Sequence, residues 1–380
     1  MRIGFDGKRI CCNQRGLGNY GRNLVDSLTI THPELECTLF SPQRAGPALQ
    51  QWESSFLAQP NHHLVTPTGA WALWGSGWRT IKPASLAAKD QLDIYHGLSH
   101  ELPWGISQSG IKSVVTIHDL LYLRLPQHYS LIDRTVYHQK VLYSCRHADQ
   151  IVAIGQQTKQ DLIQLLAVPP ERIEVIYQSC HPDFYHQLPQ QDLQRISAKY
   201  QLPNEYLLYV GAITPAKNIA AIIHALSLLP SSIELPLVIV GHPTSYQLQL
   251  EQLIQQLNLK KRVIFLTIPQ KDLPAIYQLA TLFTFPSLFE GFGIPIIEAL
   301  FSGTPVLTTQ EPVFTEAGGN CSLYVNPNDY QAIANGIVQI IEDQDLQQQM
   351  SVAGREHAER FHYLLTAQHM FELYQRIVNS

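Results

Sequence analysis

The chain has 380 residues, 45% of them hydrophobic, six cysteines and a formal net charge of −5 at pH 7. This length exceeds one ordinary hydrophobic core, so we expect two domains. The negative balance excludes a general attraction to nucleic acid or to an anionic membrane, although a local basic patch remains open.

The amino terminus and the cysteines indicate where the protein works. The first residues, MRIGFDGKRICC, lack the order of charged, apolar and small residues that marks a signal peptide. No run reaches the roughly 20 apolar residues that a membrane-spanning helix needs. The cysteines lack C-x-x-C spacing, which indicates reduced thiols rather than zinc or a disulfide framework. We therefore expect a cytoplasmic protein.

Short strand-like runs alternate with helix-like runs through the first half of the chain. Helices are predicted at 17–30, at 131–148 and at 158–166, where Thr158 and Asp161 have the spacing of a capping box. The strand candidates are residues 2–5, 37–40, 92–95, 113–117, 150–154 and 173–176. This alternation is typical of βαβ units and a parallel sheet.

The same alternation restarts after a polar stretch at 181–205, which we interpret as the connection between the two halves. The strand candidates of the second half are residues 206–210, 236–240, 262–266, 281–285 and 305–309. The sequence therefore predicts an α/β protein with two Rossmann-like domains whose parallel sheets face each other across a cleft.

Polar and glycine-rich segments follow several of the predicted strands. In parallel sheets of this kind, ligands bind beyond the carboxyl ends of the strands. The segments are HGLSH (96–100), HD (118–119), GAITPAKN (211–218), GH (241–242) and EGFG (290–293). Their convergence on one kind of position indicates a ligand site more strongly than any single motif.

The stretch FPSLFEGFGIPIIEAL (285–300) combines glycines with carboxylates. Gly291 and Gly293 precede a short predicted helix, about 294–302, that Gly303 ends. Glycines let backbone N–H groups approach a ligand, and a helix amino terminus attracts anions, most plausibly phosphate. Glu298 lies inside the helix among apolar neighbours, where an unpaired charge is costly. It could accept hydrogen bonds from the hydroxyls of a ribose.

The spacing of Glu290 and Glu298, with seven residues between them, resembles the E-x7-E signature of retaining family 4 glycosyltransferases, which have the GT-B fold. The resemblance extends over nearly the whole chain. Further segments similar to the family are SGTPV (302–306), the phosphate loop YVGAITPAKNI (209–219), the His-Asp turn VVTIHDLLYL (114–123), the Gly-rich loop GLGNYGRNL (16–24) and the closing helix FHYLLTAQHMFELYQRIV (361–378).

The resemblance implies a role for each matching residue of the donor site. Glu298 would bind the ribose of a sugar nucleotide, Glu290 the transferred sugar or the phosphate side, and Lys217 the diphosphate. The amides around Phe292 and Gly293 would contact the sugar and the diphosphate. The predicted donor-binding residues are Gly211, Lys217, Glu290, Gly291, Phe292, Gly293 and Glu298.

The resemblance also implies site residues in the first domain. Gly16 and Gly18 would face the donor phosphates or the acceptor. His118 would lie near the reacting sugar, where it would position or stabilise and need not be the base. The predicted catalytic residues are His118, Glu290 and Lys217. Many members place an Arg directly after the loop glycine, but here Ala212 follows Gly211.

The implied domains are residues 1–185 for the acceptor, residues 186–360 for the nucleotide-sugar donor and residues 361–380 as a helix packed back on the first domain. The implied reaction moves a hexose, of mannose or glucose type, with retained configuration from a nucleotide diphosphate sugar to a hydroxyl of a glycan or lipid-linked saccharide. Two alternatives remain: a sugar-nucleotide epimerase of the same fold, and a non-catalytic sugar-nucleotide binding subunit. Nucleic acid is not an expected partner, and peripheral association with the inner face of a membrane remains open.

Other signals are interpreted more plainly. Asp343 and Asp345 spell D-x-D in a polar joint between helices, so we expect a solvated turn, no metal and no cofactor.

Trp71, Trp74 and Trp78 have the spacing of a buried helical stripe. The alternative is a sticky surface for a lipid-linked acceptor, helped by Arg79 and Lys82. The strand-end residues His96, His100 and Glu101 are expected to contact the acceptor.

Overall fold

The structure is a computed structural model that describes residues 1–14 and 16–380. It divides into two compact units, of which the first comprises Met1–Ser179 with Tyr363–Ser380 and the second Cys180–His362. The division falls a few residues before the boundary expected after residue 185.

The first unit is built on a seven-stranded sheet in the order β3-β2-β1-β4-β5-β6-β7, in which every pairing is parallel. The strands are β1 (Arg2–Asp6), β2 (Glu36–Phe40), β3 (His62–Val65), β4 (Ile94–Gly97), β5 (Lys112–Ile117), β6 (Gln150–Ala153) and β7 (Ile173–Val175). The helices are α1 (Lys8–Cys12), α2 (Gly16–Thr31), α3 (Gln50–Leu57), α4 (Gly75–Lys89), α5 (Leu121–Arg124), α6 (Leu131–His147), α7 (Gln156–Leu166) and α16 (Tyr363–Val378).

Two apolar clusters form the core of the first unit. One contains side chains of α2, α3 and α16, and the other contains side chains of α4, α6 and α7, each together with residues of the strands. The carboxyl-terminal helix α16 packs Met370, Leu373 and Tyr374 into the first cluster beside Leu24 and Leu28 of α2. The helix is thereby a full member of this core.

The second unit is built on a six-stranded parallel sheet in the order β10-β9-β8-β11-β12-β13. The strands are β8 (Leu207–Val210), β9 (Leu237–Val240), β10 (Val263–Leu266), β11 (Leu282–Phe285), β12 (Val306–Thr309) and β13 (Leu323–Val325). The helices are α8 (Gln190–Tyr200), α9 (Ile219–Ser227), α10 (Ser245–Gln256), α11 (Leu273–Leu279), α12 (Ile294–Ser302), α13 (Pro312–Gly318), α14 (Tyr330–Glu342) and α15 (Gln344–Ala358).

The central strands β8, β9, β11 and β12 are buried at every position. Continuous runs such as LVIV in β9 fit this burial, because helices cover both faces of a parallel sheet. Parallel strands also bring the carboxyl ends of neighbouring strands to one edge. The loops that follow β8 and β11 therefore meet, since these two strands are paired.

No helix within residues 1–14 and 16–380 has both the length and the apolar character that crossing a membrane requires.

Candidate active site

The short helix α12 begins directly behind the glycine loop, as predicted. Gly293 precedes it with φ of 110°, and Gly303 ends it with φ of 75°; both values lie in the left-handed region that favours glycine. Among the described residues, no side chain caps the first turn. Pro295 has no N–H and the amide of Ile296 donates to the carbonyl of Gly293 at 2.9 Å, so an anion at this end would contact the amides that precede Pro295.

The loop that carries Lys217 is tied to the loop that carries Glu290. The amide of Leu288 donates to the carbonyl of Ala216 at 2.9 Å. Asn218, with φ of 56°, donates its side-chain amide to the carbonyls of Pro286 (3.1 Å) and Pro327 (2.8 Å). These bonds hold the two loops in one arrangement at the edge of the sheet.

Lys217 and Glu290 form an ion pair at this edge. The ammonium Nζ donates to Glu290 Oε1 at 2.5 Å, and both side chains remain partly accessible to solvent. A charge-assisted bond of this kind orients both groups. Because ammonium has three N–H donors, Lys217 can contact a phosphate while it keeps or exchanges its bond to the carboxylate.

Glu298 lies in α12 with its side chain almost fully buried. The hydroxyl of Tyr277, on α11, donates to Glu298 Oε2 at 2.9 Å. Burial raises the pKa of Glu298 to about 7, and the bond from Tyr277 opposes that rise. Sequence reasoning missed Tyr277, because a buried tyrosine signals that its hydroxyl has a partner but does not identify that partner.

The other predicted donor-binding residues would present backbone groups, and not side chains, to a ligand. The Phe292 ring is buried and packs edge-on against Phe361, with ring centroids 5.5 Å apart. Gly211 directly follows β8, and its amide donates to the carbonyl of Val240 at 3.0 Å. A Cβ at this position would lie 2.8 Å from the hydroxyl of Tyr209. Gly291 lies in the same loop as Phe292.

His118 follows β5 in the first unit, where it is buried and held by two bonds. Its Nε2 donates to the carbonyl of Leu98 at 2.8 Å, and the amide of Gln178 donates to Nδ1 at 3.2 Å. Burial lowers the pKa of His118 to about 3. The ring is therefore neutral, and its two nitrogens are engaged by the protein, which suits positioning better than proton transfer.

The predicted glycine loop at Gly16 and Gly18 is a helix. Both residues lie in the first turn of α2, and Gly16 is exposed with no atom near the position of a Cβ. A Cβ on Gly18 would lie 1.8 Å from the carbonyl oxygen of Asn13. Gly18 therefore permits a close approach of backbone, and the role of both glycines at a ligand remains a prediction.

Two expectations for the loops of the first unit are wrong. His96 lies inside β4 and is fully buried, with Nδ1 2.6 Å from the hydroxyl of Tyr374, so it faces the core instead of an acceptor. The capping box at Thr158 is not formed, because α7 begins two residues earlier, at Gln156. Thr158 instead donates to the carbonyl of His118 at 3.0 Å.

The tryptophan stripe is only partly buried, because α4 begins at Gly75 and both Trp71 and Trp74 lie before it. Trp78 is buried, whereas Trp74 is 59% exposed. Lys82 lies over the ring of Trp71, with Nζ 5.2 Å from its centroid. Arg79 is buried and paired with Asp6, so it is not available to a lipid head group.

The D-x-D triplet has a structural role at its first residue. Asp343 accepts a hydrogen bond from the amide of Leu346 at 2.8 Å and caps α15. This arrangement agrees with the turn that the sequence predicted.

Two family models match the chain. The model described as Glycosyltransferase Family 4 matches residues 15–184, and the model described as Glycosyl transferases group 1 matches residues 191–357. The chain belongs to the family 4 glycosyltransferases. The predicted family and the predicted enzyme class, glycosyltransferase, are confirmed.

Relatives of this glycosyltransferase include two bacterial enzymes. The O-antigen chain mannosyltransferase B of Escherichia coli is 29% identical over 371 residues, which are 95% of this chain and 96% of the relative. The O-antigen chain mannosyltransferase RfbU of Salmonella typhimurium is 31% identical over 230 residues, which are 60% of this chain and 61% of the relative.

The fold is also found in a solved structure, Anabaena Alr3699/HepE in complex with UDP. The TM-score is 0.77 at 19% identity, with 99% of this chain and 100% of that chain covered. This likeness confirms the predicted GT-B fold with its two Rossmann-like domains.

Proposed function

We propose that this glycosyltransferase binds the diphosphate and the ribose of a sugar nucleotide at the edge of the second sheet. The observation that carries the proposal is the arrangement of the Lys217–Glu290 ion pair, the uncapped start of α12 and the buried Glu298 on two bonded loops and one helix. Cation and amide groups suit the diphosphate, and the carboxylate suits the vicinal hydroxyls of a pentose.

Glu298 is the proposed ribose ligand. Its Oε2 accepts from Tyr277, and no lysine or arginine among the described residues forms an ion pair with it. A carboxylate accepts about four hydrogen bonds, so acceptor capacity remains for two ribose hydroxyls. Filling that capacity offsets the cost of the buried charge.

Lys217 is the proposed ligand of the diphosphate. In the reaction, the bond between the sugar C1 and the diphosphate oxygen breaks, and C1 bonds to the acceptor oxygen on the same face. The acceptor proton passes to the leaving phosphate, so the configuration is retained. Negative charge grows on the diphosphate, and a fixed ammonium and oriented amides stabilise that charge. Glu290 holds Lys217 in place and lies near the transferred sugar.

The proposed sugar is a hexose of mannose or glucose type, and the proposed acceptor is a growing glycan or a lipid-linked saccharide in polysaccharide biosynthesis. The names of the two O-antigen mannosyltransferases support mannose. The HepE structure contains UDP, which makes UDP-glucose a second donor to test. No metal or cofactor takes part in the proposed reaction.

The test supplies GDP-mannose or UDP-glucose with and without mannotriose as acceptor. We expect nucleoside diphosphate release that requires mannotriose, with one hexose added to the trisaccharide by mass spectrometry. Release of nucleoside diphosphate that does not depend on mannotriose contradicts the proposal. Conversion of the sugar nucleotide without release of nucleoside diphosphate contradicts it as well. Glu298→Ala should weaken donor binding about tenfold or more, whereas Glu251→Ala, on the exposed face of α10, should not.

We also propose that the chain associates peripherally with the inner face of the membrane. The start of α6 supports this, because Leu131 and Ile132 are 72% and 77% exposed and Val136 is also exposed. Arg134 lies on the same two turns. Exposed apolar side chains beside a cation suit the head-group layer of an anionic bilayer.

Sedimentation with phosphatidylglycerol vesicles tests this surface. We expect the wild-type chain to sediment with the vesicles and the double variant Leu131→Ser, Ile132→Ser to remain in solution. Leu248→Ser, which changes an exposed leucine of α10, is the matched control. Equal sedimentation of all three chains would exclude α6 as the contact.

A further inference from the structure

Trp104 of the first unit is an exposed aromatic residue on a fixed loop. Its side chain is 59% exposed. The amide of Trp104 donates to the carbonyl of Thr80 on α4 at 2.6 Å, and the next amide, of Gly105, donates to the hydroxyl of Tyr143 on α6 at 2.9 Å. The backbone on both sides of the exposed ring is therefore held in place.

The loop before Trp104 is fixed in the same way. The amide of Leu102 donates to Ser144 Oγ of α6 at 2.9 Å. Gly105 has φ of 83°, a left-handed conformation that glycine adopts without strain. A loop anchored to two helices holds its side chains in fixed positions, and a fixed, exposed ring is a contact surface available at little conformational cost.

Beside the ring lies a small, open hollow of about 40 Å³ between α4 and α6. It is lined by Thr80, Glu101, Leu102, Trp104, Lys140 and Tyr143. This volume is far below the range of about 300–1,000 Å³ typical of small-molecule sites. A ligand group would therefore lie across the mouth of the hollow, against the exposed ring, and not inside it.

Glu101 provides a carboxylate at the hollow with one oxygen engaged. Arg79 donates to Oε2 at 2.5 Å, and Lys140 donates to the same oxygen at 3.1 Å. Arg79 is itself fixed by Asp6, which accepts at 2.6 Å. Oε1 is left to accept from a ligand, and the partly exposed Lys140 keeps further N–H donors.

We propose that this hollow binds one sugar residue of the acceptor glycan, with Trp104 against the ring face, Glu101 accepting from sugar hydroxyls and Lys140 donating to them. The inference rests on the proposed function, in which a glycan is the acceptor.

The chemistry of the hollow favours a sugar over a lipid. A pyranose has an apolar C–H face, which suits an aromatic ring, and a rim of hydroxyls, which suits a carboxylate beside an ammonium. A lipid chain would leave Glu101 and Lys140 against hydrocarbon, which costs free energy. A phosphate would be repelled by Glu101.

The experiment titrates mannotriose into the intact chain without any donor, followed by saturation-transfer NMR. We expect Trp104→Ala to weaken binding about tenfold and Trp104→Phe to restore part of it. Trp74→Ala is the matched control, because Trp74 is also 59% exposed, lies in the same unit and does not line the hollow. Circular dichroism and the thermal midpoint verify that each variant folds.

Each outcome decides the proposal. Weaker mannotriose binding by Trp104→Ala, together with unchanged binding by Trp74→Ala, supports the proposal. No binding by the wild-type chain at millimolar mannotriose, or equal binding by all variants, overturns it. If Trp104→Ala keeps glycan binding but loses vesicle binding, the ring contacts lipid and the proposal is overturned. Because no donor is present, failure of transfer does not affect this result.

Discussion

At the scale of single residues, Glu298 has a raised pKa at the proposed donor site. Burial raises the pKa of its carboxyl from the ordinary value of 4.5 to about 7. The unfolded chain releases this proton at lower pH than the folded chain does. Between the pKa of Glu298 in the unfolded chain and its pKa in the folded chain, the folded state binds the extra proton. The free energy of unfolding therefore falls as pH rises. Ionisation of this buried carboxyl thus lowers the free energy of unfolding at neutral pH.

Replacing Glu298 with glutamine should relieve that loss. We expect Glu298→Gln to raise the free energy of unfolding at pH 8 by on the order of 2 kcal/mol and to have little effect near pH 5, where the wild-type group is protonated. Thermal unfolding at both pH values measures the difference, with Glu251→Gln as the exposed control. A difference that is the same at both pH values would contradict a titration at this residue.

Lys217 belongs to the same site but acts in a different step. Its ammonium is partly exposed and already paired with Glu290, so its removal should disturb the fold little. We expect Lys217→Ala to lower kcat about a hundredfold and to change donor KM less, because charge on the leaving diphosphate grows in the transition state. Initial rates at saturating donor test this. Lys260→Ala, at an exposed lysine, is the control variant. A kcat of Lys217→Ala within about twofold of wild type would contradict the proposed role of Lys217.

At the scale of elements, α12 has a glycine of positive φ at each end, and only one end faces the proposed ligand. A Cβ on Gly303 would lie 2.3 Å from the guanidinium of Arg355. A Cβ on Gly293 would have its nearest contact at 3.3 Å, the side chain of Ile296. Both positions share the strain of a positive φ, Gly303 adds a close contact, and only the amides at Gly293 belong to the proposed anion site.

The two alanine variants should separate stability from binding. We expect Gly293→Ala and Gly303→Ala each to lower the free energy of unfolding, by about 1 kcal/mol or more. Only Gly293→Ala should also weaken nucleoside diphosphate binding. Urea unfolding and nucleotide titration measure the two effects. Equal loss of nucleotide affinity in both variants would mean that the helix acts only as a scaffold.

Strands and helices with strong local signals were predictable from the sequence, and the weaker ones were not. β9 is a continuous apolar run, and α12 is bounded by glycines, so local chemistry determines them. β3 has the sequence HHLV and β13 has only three residues. Such short strands are fixed by pairing with a neighbour, and that pairing is not encoded in the segment itself.

At the scale of the whole molecule, the predicted site residues are found in both units. Spacing within one segment indicated Glu290, Glu298 and the glycines, whose roles at a ligand remain predictions. Contacts between distant segments were not predictable, and these include the bond of Tyr277 to Glu298 and the anchoring of Trp104 by α4 and α6. They depend on packing that brings residues together from separate parts of the chain.

In the proposed function the second unit binds the nucleotide. This predicts the effect of a substitution at His118, which lies in the first unit. We expect His118→Asn, in the first unit, to leave nucleoside diphosphate affinity within about twofold of wild type and to lower kcat about tenfold or more. His62→Asn, which alters another buried histidine of that unit, should leave both values unchanged. Nucleotide titration and initial rates measure the effects. Loss of nucleotide affinity in His118→Asn would contradict this prediction.

The central claim is that the start of α12, Lys217 and Glu298 together hold a nucleoside diphosphate. A crystal structure of the intact chain with UDP or GDP tests it most directly. We expect the diphosphate against the amides at 292–294 with Lys217 Nζ in contact, and the ribose hydroxyls on Glu298. A nucleotide ordered elsewhere, with Lys217 bonded only to Glu290 and Glu298 bonded only to Tyr277, would contradict the claim.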